Sequence, residues 1–259
     1  MSTTEPPGKR AKPTGKPEGE PADVAAINGE IQKFLATFDA KGRRLGSVEW
    51  GVYAFYDYDG EPIYIGQTYE GFSVRLGRHL TGRRSDAVAK NVLDPFEVAE
   101  VRIWPMDFSQ LFLELESKTK PGEKVDPEAR KAVVKAVKTE LDRAEYTLCL
   151  KVIEESSFKA VLNEAIPKKT ETITLPADYR CRIIPADIYP QRKHPDIRIA
   201  RRASTIAALA RVISERKVGK RLRTILLTQA QRLESLATRR LEQFGTVADE
   251  DDEENGKEG

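Results

Sequence analysis

The chain has 259 residues, with 43 Lys and Arg against 41 Asp and Glu and a net charge of +2, which suits one large domain or two small ones. No apolar run approaches the roughly 18 residues that span a bilayer, and no signal-peptide pattern opens the chain, so the expectation is a cytoplasmic protein without membrane attachment. Two Cys and two His are too few for a Cys/His zinc site, and a metal here is expected to be a hard cation on carboxylate oxygen.

Residues 1–23 are rich in Pro, Gly, Lys and Glu and carry almost no large apolar side chains, a composition that predicts disorder. Val24 to Thr37 has apolar residues at roughly helical spacing. Trp50 to Tyr58 then switches to aromatic and small residues with strand character, Asp59-Gly60 supplies a hairpin turn, and Ile63 to Ile65 resumes a strand just after Pro62. Gly71 to Leu80 reads as a helix carrying Arg75, Arg78 and His79, and Asp86 to Leu93 as a shorter one. Phe96 to Trp104 alternates as a third strand. Lys118 to Lys124 is a loop, after which Asp126 is placed to cap a long helix reaching about Glu154. Thr170 to Pro190, with its several Pro, reads as a connector or small hairpin.

Beyond Pro195 two helices are expected, about 196–217 and 219–244, broken near Gly219, with Ile206, Leu209, Val212, Ile213, Leu222, Ile225, Leu226, Leu233, Leu236 and Leu241 recurring at helical spacing. Residues 246–259 contain the acidic run Asp249 to Glu254 and read as a second disordered tail. The predicted fold class is α+β: a small three-stranded antiparallel sheet flanked by helices over residues 24–167, a connector at 168–195, and a basic helical region at 196–245.

The small net charge hides a strong polarity. Arg192 to Gly245 holds 14 Lys and Arg against four Asp and Glu, and the tail beyond it holds seven acidic residues and one Lys. A basic segment followed by an acidic tail suits a nucleic-acid partner, and it equally suits a solvated helical surface with a solubilising tail. The helical region is expected to pack with a basic outer face, which permits both DNA contact and self-association into a homo-oligomer. Cys149 and Cys181 are read as reduced thiols, with a single disulfide as the alternative.

Chemistry-bearing residues concentrate between Gly51 and Asn163. If the hairpin loop has an even number of residues centred on Asp59-Gly60, Tyr53 lies opposite Gly66 and Tyr64 opposite Phe55, so the two tyrosines share a sheet face as diagonal neighbours; an odd loop without a compensating bulge would put them on opposite faces. Arg75 and His79, four apart on a helix, lie on one face. Arg offers a fork of donors suited to phosphoryl oxygens, and His exchanges a proton near neutral pH.

The order Gly51-Val52-Tyr53, Tyr64-Ile65-Gly66, Arg75-x3-His79, Ala144-Glu145 and Asn163 resembles the GIY-YIG nuclease family. The resemblance implies a metal-dependent DNA endonuclease of restriction, mobile-element or repair type. It implies a catalytic set of Tyr53, Tyr64, Arg75, His79 and Glu145, and substrate contacts from Gly66, Arg78 and Asn163. It also implies Mg²⁺ or Mn²⁺ on Glu145, with Glu140 and Glu154 as alternatives, since an ion that keeps most of its waters can be held by one carboxylate. The resemblance equally allows a scaffold of this type that has lost catalysis and serves as a nucleic-acid- or protein-binding module.

Overall fold

The computed structural model describes residues 22–80, 94–119 and 124–245. The acidic tail, the short helix expected at 86–93 and nearly all of the segment 1–23 lie outside those residues.

Four strands, β1 (Gly51–Tyr56), β2 (Pro62–Thr68), β3 (Glu100–Pro105) and β4 (Tyr179–Arg182), form one antiparallel sheet in the order β2-β1-β3-β4. The expectation of three strands is therefore corrected to four. The extra strand comes from the segment read as a connector or small hairpin: Tyr-Arg-Cys-Arg pairs along β3 at the edge of the sheet, with Arg180 and Arg182 exposed. So short an edge strand needs only one half-buried face and leaves almost no apolar signature. β1, by contrast, is buried along its whole length, as its unbroken run of apolar and aromatic side chains requires.

The hairpin register matches the sequence reading, Tyr53 opposite Gly66 and Phe55 opposite Tyr64, but the route is different. The connection is an odd loop, Asp57 to Glu61, and a bulge between Phe55 and Tyr56 restores the phase. Asp57 shapes the loop by accepting from the Asp59 and Glu61 amides at 2.8 and 2.9 Å, while Gly60 takes the turn's φ of +77°.

Helices cover both faces of the sheet. Around Tyr53 and Phe55 gather Ile31 of α1 (Ala22–Ala36) and Leu76 of α2 (Phe72–Leu80). A turn of 3-10 helix, Pro95–Glu97, capped by Asp94, leads into β3. A helix not foreseen in the sequence, α3 (Ser109–Ser117), stacks Phe112 on Trp50. Val52, Ala54 and Ile65 pack under α4 (Pro127–Glu155) through Ala144, Leu148 and Val152. Asp126 caps α4 by accepting from the Glu128 and Ala129 amides. Cys149 and Cys181 are both free, and burial pushes each thiol up to about 11.

After the short α5 (Tyr189–Lys193), the chain closes with α6 (Pro195–Glu215) and α7 (Lys220–Gly245). Leu209 and Ile213 of α6 and Leu222 and Ile225 of α7 join the same core cluster as Tyr53. The expected basic outer face needs a partial correction, because Arg198, Arg202 and Arg232 are buried, each 5 % exposed or less. They meet the hairpin loop and the 3-10 turn. Arg202 pairs with Asp57 at 2.6 Å, Arg198 pairs with Asp59 at 2.9 Å, and both face Glu97. Burial works against the Asp59 carboxylate, yet hydrogen bonds from Arg198 and Arg239 hold it below its ordinary range. Buried guanidinium groups are tolerable only with such partners.

Candidate active site

β2 is an edge strand, and the candidate residues assemble around that edge from both faces of the sheet. On one face, Tyr53 of β1 projects toward α2, and its hydroxyl oxygen lies 2.9 Å from His79 Nε2. Arg75 Nε donates to the same oxygen at 3.1 Å. The four-residue spacing on α2 thus brings Arg75 and His79 to one atom. Tyr64 stands beside them, its ring centroid 6.3 Å from that of Tyr53 and 5.1 Å from that of His79. Tyr53 is 0 % and His79 4 % exposed, whereas Tyr64 and Arg75 are partly open to solvent.

The two motif glycines have steric reasons. A Cβ on Gly66 would sit 2.4 Å from the Tyr53 hydroxyl oxygen, so only glycine lets that ring lie across β2. A Cβ on Gly51 would stand 2.5 Å from both the Phe72 ring and the Trp104 carbonyl oxygen. Each small residue marks a close approach, by the Tyr53 side chain and by the neighbouring strand and α2.

On the other face, Glu145 projects from α4 toward Gln67, which donates through Nε2 to Glu145 at 3.2 Å and to Asp142 at 2.8 Å. Burial, with the Asp142 charge adding to it, pushes Glu145 up to about 7, against the opposing pull of Arg75 and the Gln67 hydrogen bond. Arg75 is therefore felt at both halves of the site, by hydrogen bond at Tyr53 and by charge at Glu145. Of the other carboxylates considered for a metal, Glu140 is committed to Arg143 at 2.7 Å, and Glu154 is exposed farther along α4.

Among the described residues, no three His, Cys, Asp or Glu side chains converge on a common point. What the chain offers a divalent ion is hard oxygen on Glu145 with Asp142 alongside, a pair short of positive charge. That donor set fits a divalent cation holding most of its own waters.

Asn163 makes a two-way contact with the edge strand. Its Oδ1 accepts from the Ile65 amide at 2.9 Å and its Nδ2 donates to the Ile65 carbonyl at 2.8 Å. It thereby stands in for a neighbouring strand at the residue between Tyr64 and Gly66. Arg78 forms a surface pair with Glu70. Gln67 and Asp142 were not singled out in the sequence. The available signal was phase: Gln67 shares the α4-facing side of β2 with Ile65, and a polar side chain there needs a partner on α4.

No helix among the described residues is long and apolar enough to cross a membrane. No curated protein and no solved structure matches the chain. A family model does match it over residues 49–124, a span that holds Tyr53, Tyr64, Arg75 and His79 and ends before Glu145. That model describes the GIY-YIG catalytic domain, so the segment that carries the hairpin register and the shared Tyr53 oxygen is similar to that domain, which suggests a nuclease family.

Proposed function

We propose that the protein is a metal-dependent DNA endonuclease that hydrolyses phosphodiester bonds at the β2 edge. The observation that carries this reading is the Tyr53 hydroxyl held jointly by Arg75 and His79, with Glu145 brought to the same edge from the opposite face.

The chemistry follows from those groups. Arg75 can only donate to the Tyr53 oxygen, which directs the hydroxyl proton toward His79 Nε2. His79 Nε2 is the acceptor for that proton. As the oxygen of the attacking water bonds to phosphorus, the bond from phosphorus to the leaving 3′ oxygen breaks with its electron pair on that oxygen, which takes up a proton from solvent water. The proton of that water passes to the Tyr53 oxygen while the tyrosine's own proton moves to His79. Tyr64, the more open of the two tyrosines, lines the approach to Tyr53 and positions the substrate. Arg75 spends Nε on Tyr53 and keeps its terminal nitrogens for the phosphoryl oxygens, where charge builds in the transition state. Glu145, with Asp142 beside it, would hold a divalent ion that supplies positive charge to the leaving oxygen. Asn163 holds β2 in place, so that Tyr64 and Gly66 keep their register.

The test is plasmid nicking. The protein should nick supercoiled DNA with Mg²⁺ or Mn²⁺ and not with EDTA, and Glu145→Ala should abolish nicking without loss of folding or DNA binding. Equal nicking by parent and variant would remove Glu145 from the metal role. No nicking by a folded parent with either ion would favour the non-catalytic scaffold instead.

A further inference from the structure

Most of the positive charge in the C-terminal helices is turned inward or paired. Arg198, Arg202 and Arg232 are buried against the hairpin, Arg201 pairs with Glu97, Arg239 with Asp59, and Arg240 with Asp196. What remains is concentrated at one place. Arg216, Lys217, Lys220 and Arg223, at the turn between α6 and α7, are all exposed, and none has a carboxylate partner among the described residues. The first turn of α7 contains no acidic residue to balance them, an arrangement that works against helix stability. The nearest acids along the chain do not neutralise the cluster, since Glu215 is engaged by Arg211.

The turn is also fixed relative to the candidate active site. Arg221, in the middle of the cluster, points inward and donates to the Asn163 carbonyl at 2.8 Å and the Val161 carbonyl at 2.6 Å. The Asn163 amide in turn holds Ile65, between Tyr64 and Gly66. The cations are thus tied through one guanidinium and one amide to the strand edge where the two halves of the site meet.

We infer that the α6–α7 turn is the docking surface for the phosphate backbone of the nucleic acid flanking the scissile bond, and that Arg216, Lys217, Lys220 and Arg223 supply its cations. The inference rests on the nuclease reading for the identity of the partner. The buried arginines of the same helices serve the fold, which separates them from the four that are free to meet phosphate.

Binding should be measured with a short labelled DNA duplex of arbitrary sequence in a Glu145→Ala background, across a salt titration. Each phosphate neutralised contributes about −0.9 to the slope of log K against log salt. Replacing all four residues by Gln should therefore flatten the slope by about 3.6 and weaken binding at low salt at least tenfold, with an unchanged circular-dichroism melt. A control variant with Gln at Arg130, Lys131 and Lys135, exposed near the far end of α4, should keep the parental slope. A parental slope in the four-residue variant, or an equal flattening in the control, overturns the inference. Plasmid nicking by the parent chain is scored separately: an altered slope without nicking leaves the surface standing and removes the nuclease reading, and nicking with an unaltered slope does the reverse.

Discussion

Glu145→Gln should stabilise the folded protein in the absence of divalent ions, and increasingly so as the pH rises. Burial against α4 and β2, with Asp142 adding to it, raises the carboxyl from its ordinary value of 4.5 to about 7. The sign follows from linkage: a raised pKa favours the protonated form in the folded state. Below about pH 4.5 the carboxyl is neutral whether the chain is folded or not, and it imposes no penalty. Between there and about 7 the unfolded chain ionises more readily than the folded one, so stability falls, and above 7 the penalty is complete. A gap of about 2.5 pH units at 1.36 kcal/mol each sets a ceiling near 3.4 kcal/mol. Because Glu145 is partly open to solvent, screening brings the expected gain to about 2 kcal/mol. The Gln67 amide can still donate to the oxygen of a Gln side chain, so that contact is not lost with the charge. Urea denaturation in EDTA at several pH values between about 5 and 8 measures the difference between variant and parent. It should grow with pH, and it should shrink when Mg²⁺ is added, because the ion stabilises only the parental carboxylate. A difference that is flat across this range would refute the perturbed carboxyl, and one that Mg²⁺ does not shrink would refute its role as the cation's ligand.

Two further outcomes test the other half of the site. Gly66→Ala places a methyl group 2.4 Å from the Tyr53 oxygen; it should cost about 1–3 kcal/mol in denaturation and lower nicking at least tenfold by displacing Tyr53 from Arg75 and His79. Arg75→Lys keeps charge and helix propensity but loses the fork that serves Tyr53 and phosphate together, so the nicking rate should fall by about 10²–10³ with little change in DNA affinity.

The parts of the fold that were legible in the sequence are those where one residue type is the only solution. Gly66 is forced by the Tyr53 ring, Gly51 by Phe72 and the Trp104 carbonyl, and the Arg75-x3-His79 spacing by the pitch of a single helix. These are short-range demands, so they survive as a motif. β4 was legible only as one of two alternatives, a connector or a small hairpin, because an edge strand of four residues with two exposed arginines has little pattern to distinguish it from a loop. The inward arginines were missed for a different reason. Arg198 and Arg202 continue, four and seven residues apart, the stripe of Leu209 and Ile213 on α6. Charged residues in the phase of an apolar stripe point to buried partners, but those partners, Asp57, Asp59 and Glu97, lie more than a hundred positions away in sequence. Gln67 falls between the two cases: its phase on β2 was readable, while its partners on α4 were not.

The C-terminal helices are therefore part of what holds the β1–β2 hairpin, and Asp57→Asn tests this directly. Asn retains an oxygen that can accept from the Asp59 and Glu61 amides, so the local turn survives the change. What is removed is the negative charge facing Arg202 at 2.6 Å and Arg198 at 3.5 Å, in a site where Asp57 and Arg198 side chains are 1 % and 2 % exposed. Removing one partner of a buried pair costs about 3–5 kcal/mol, because the remaining charge is left in a medium that solvates it poorly. Glu97 still faces both arginines, so the lower end, about 3 kcal/mol, is expected in urea denaturation. A second change, Arg202→Met, removes the stranded cation and should recover part of that loss, whereas Arg202→Met alone should be destabilising by leaving Asp57 short of its closest partner. Nicking by the single variant should fall as the folded population falls, since the loop it loosens joins the strands bearing Tyr53 and Tyr64. If Asp57→Asn matches the parent to within about 0.5 kcal/mol, the network contributes no net stability. The inward arginines would then have another purpose, and the helices would hold the hairpin through the apolar contacts of Leu209, Ile213, Leu222 and Ile225 alone.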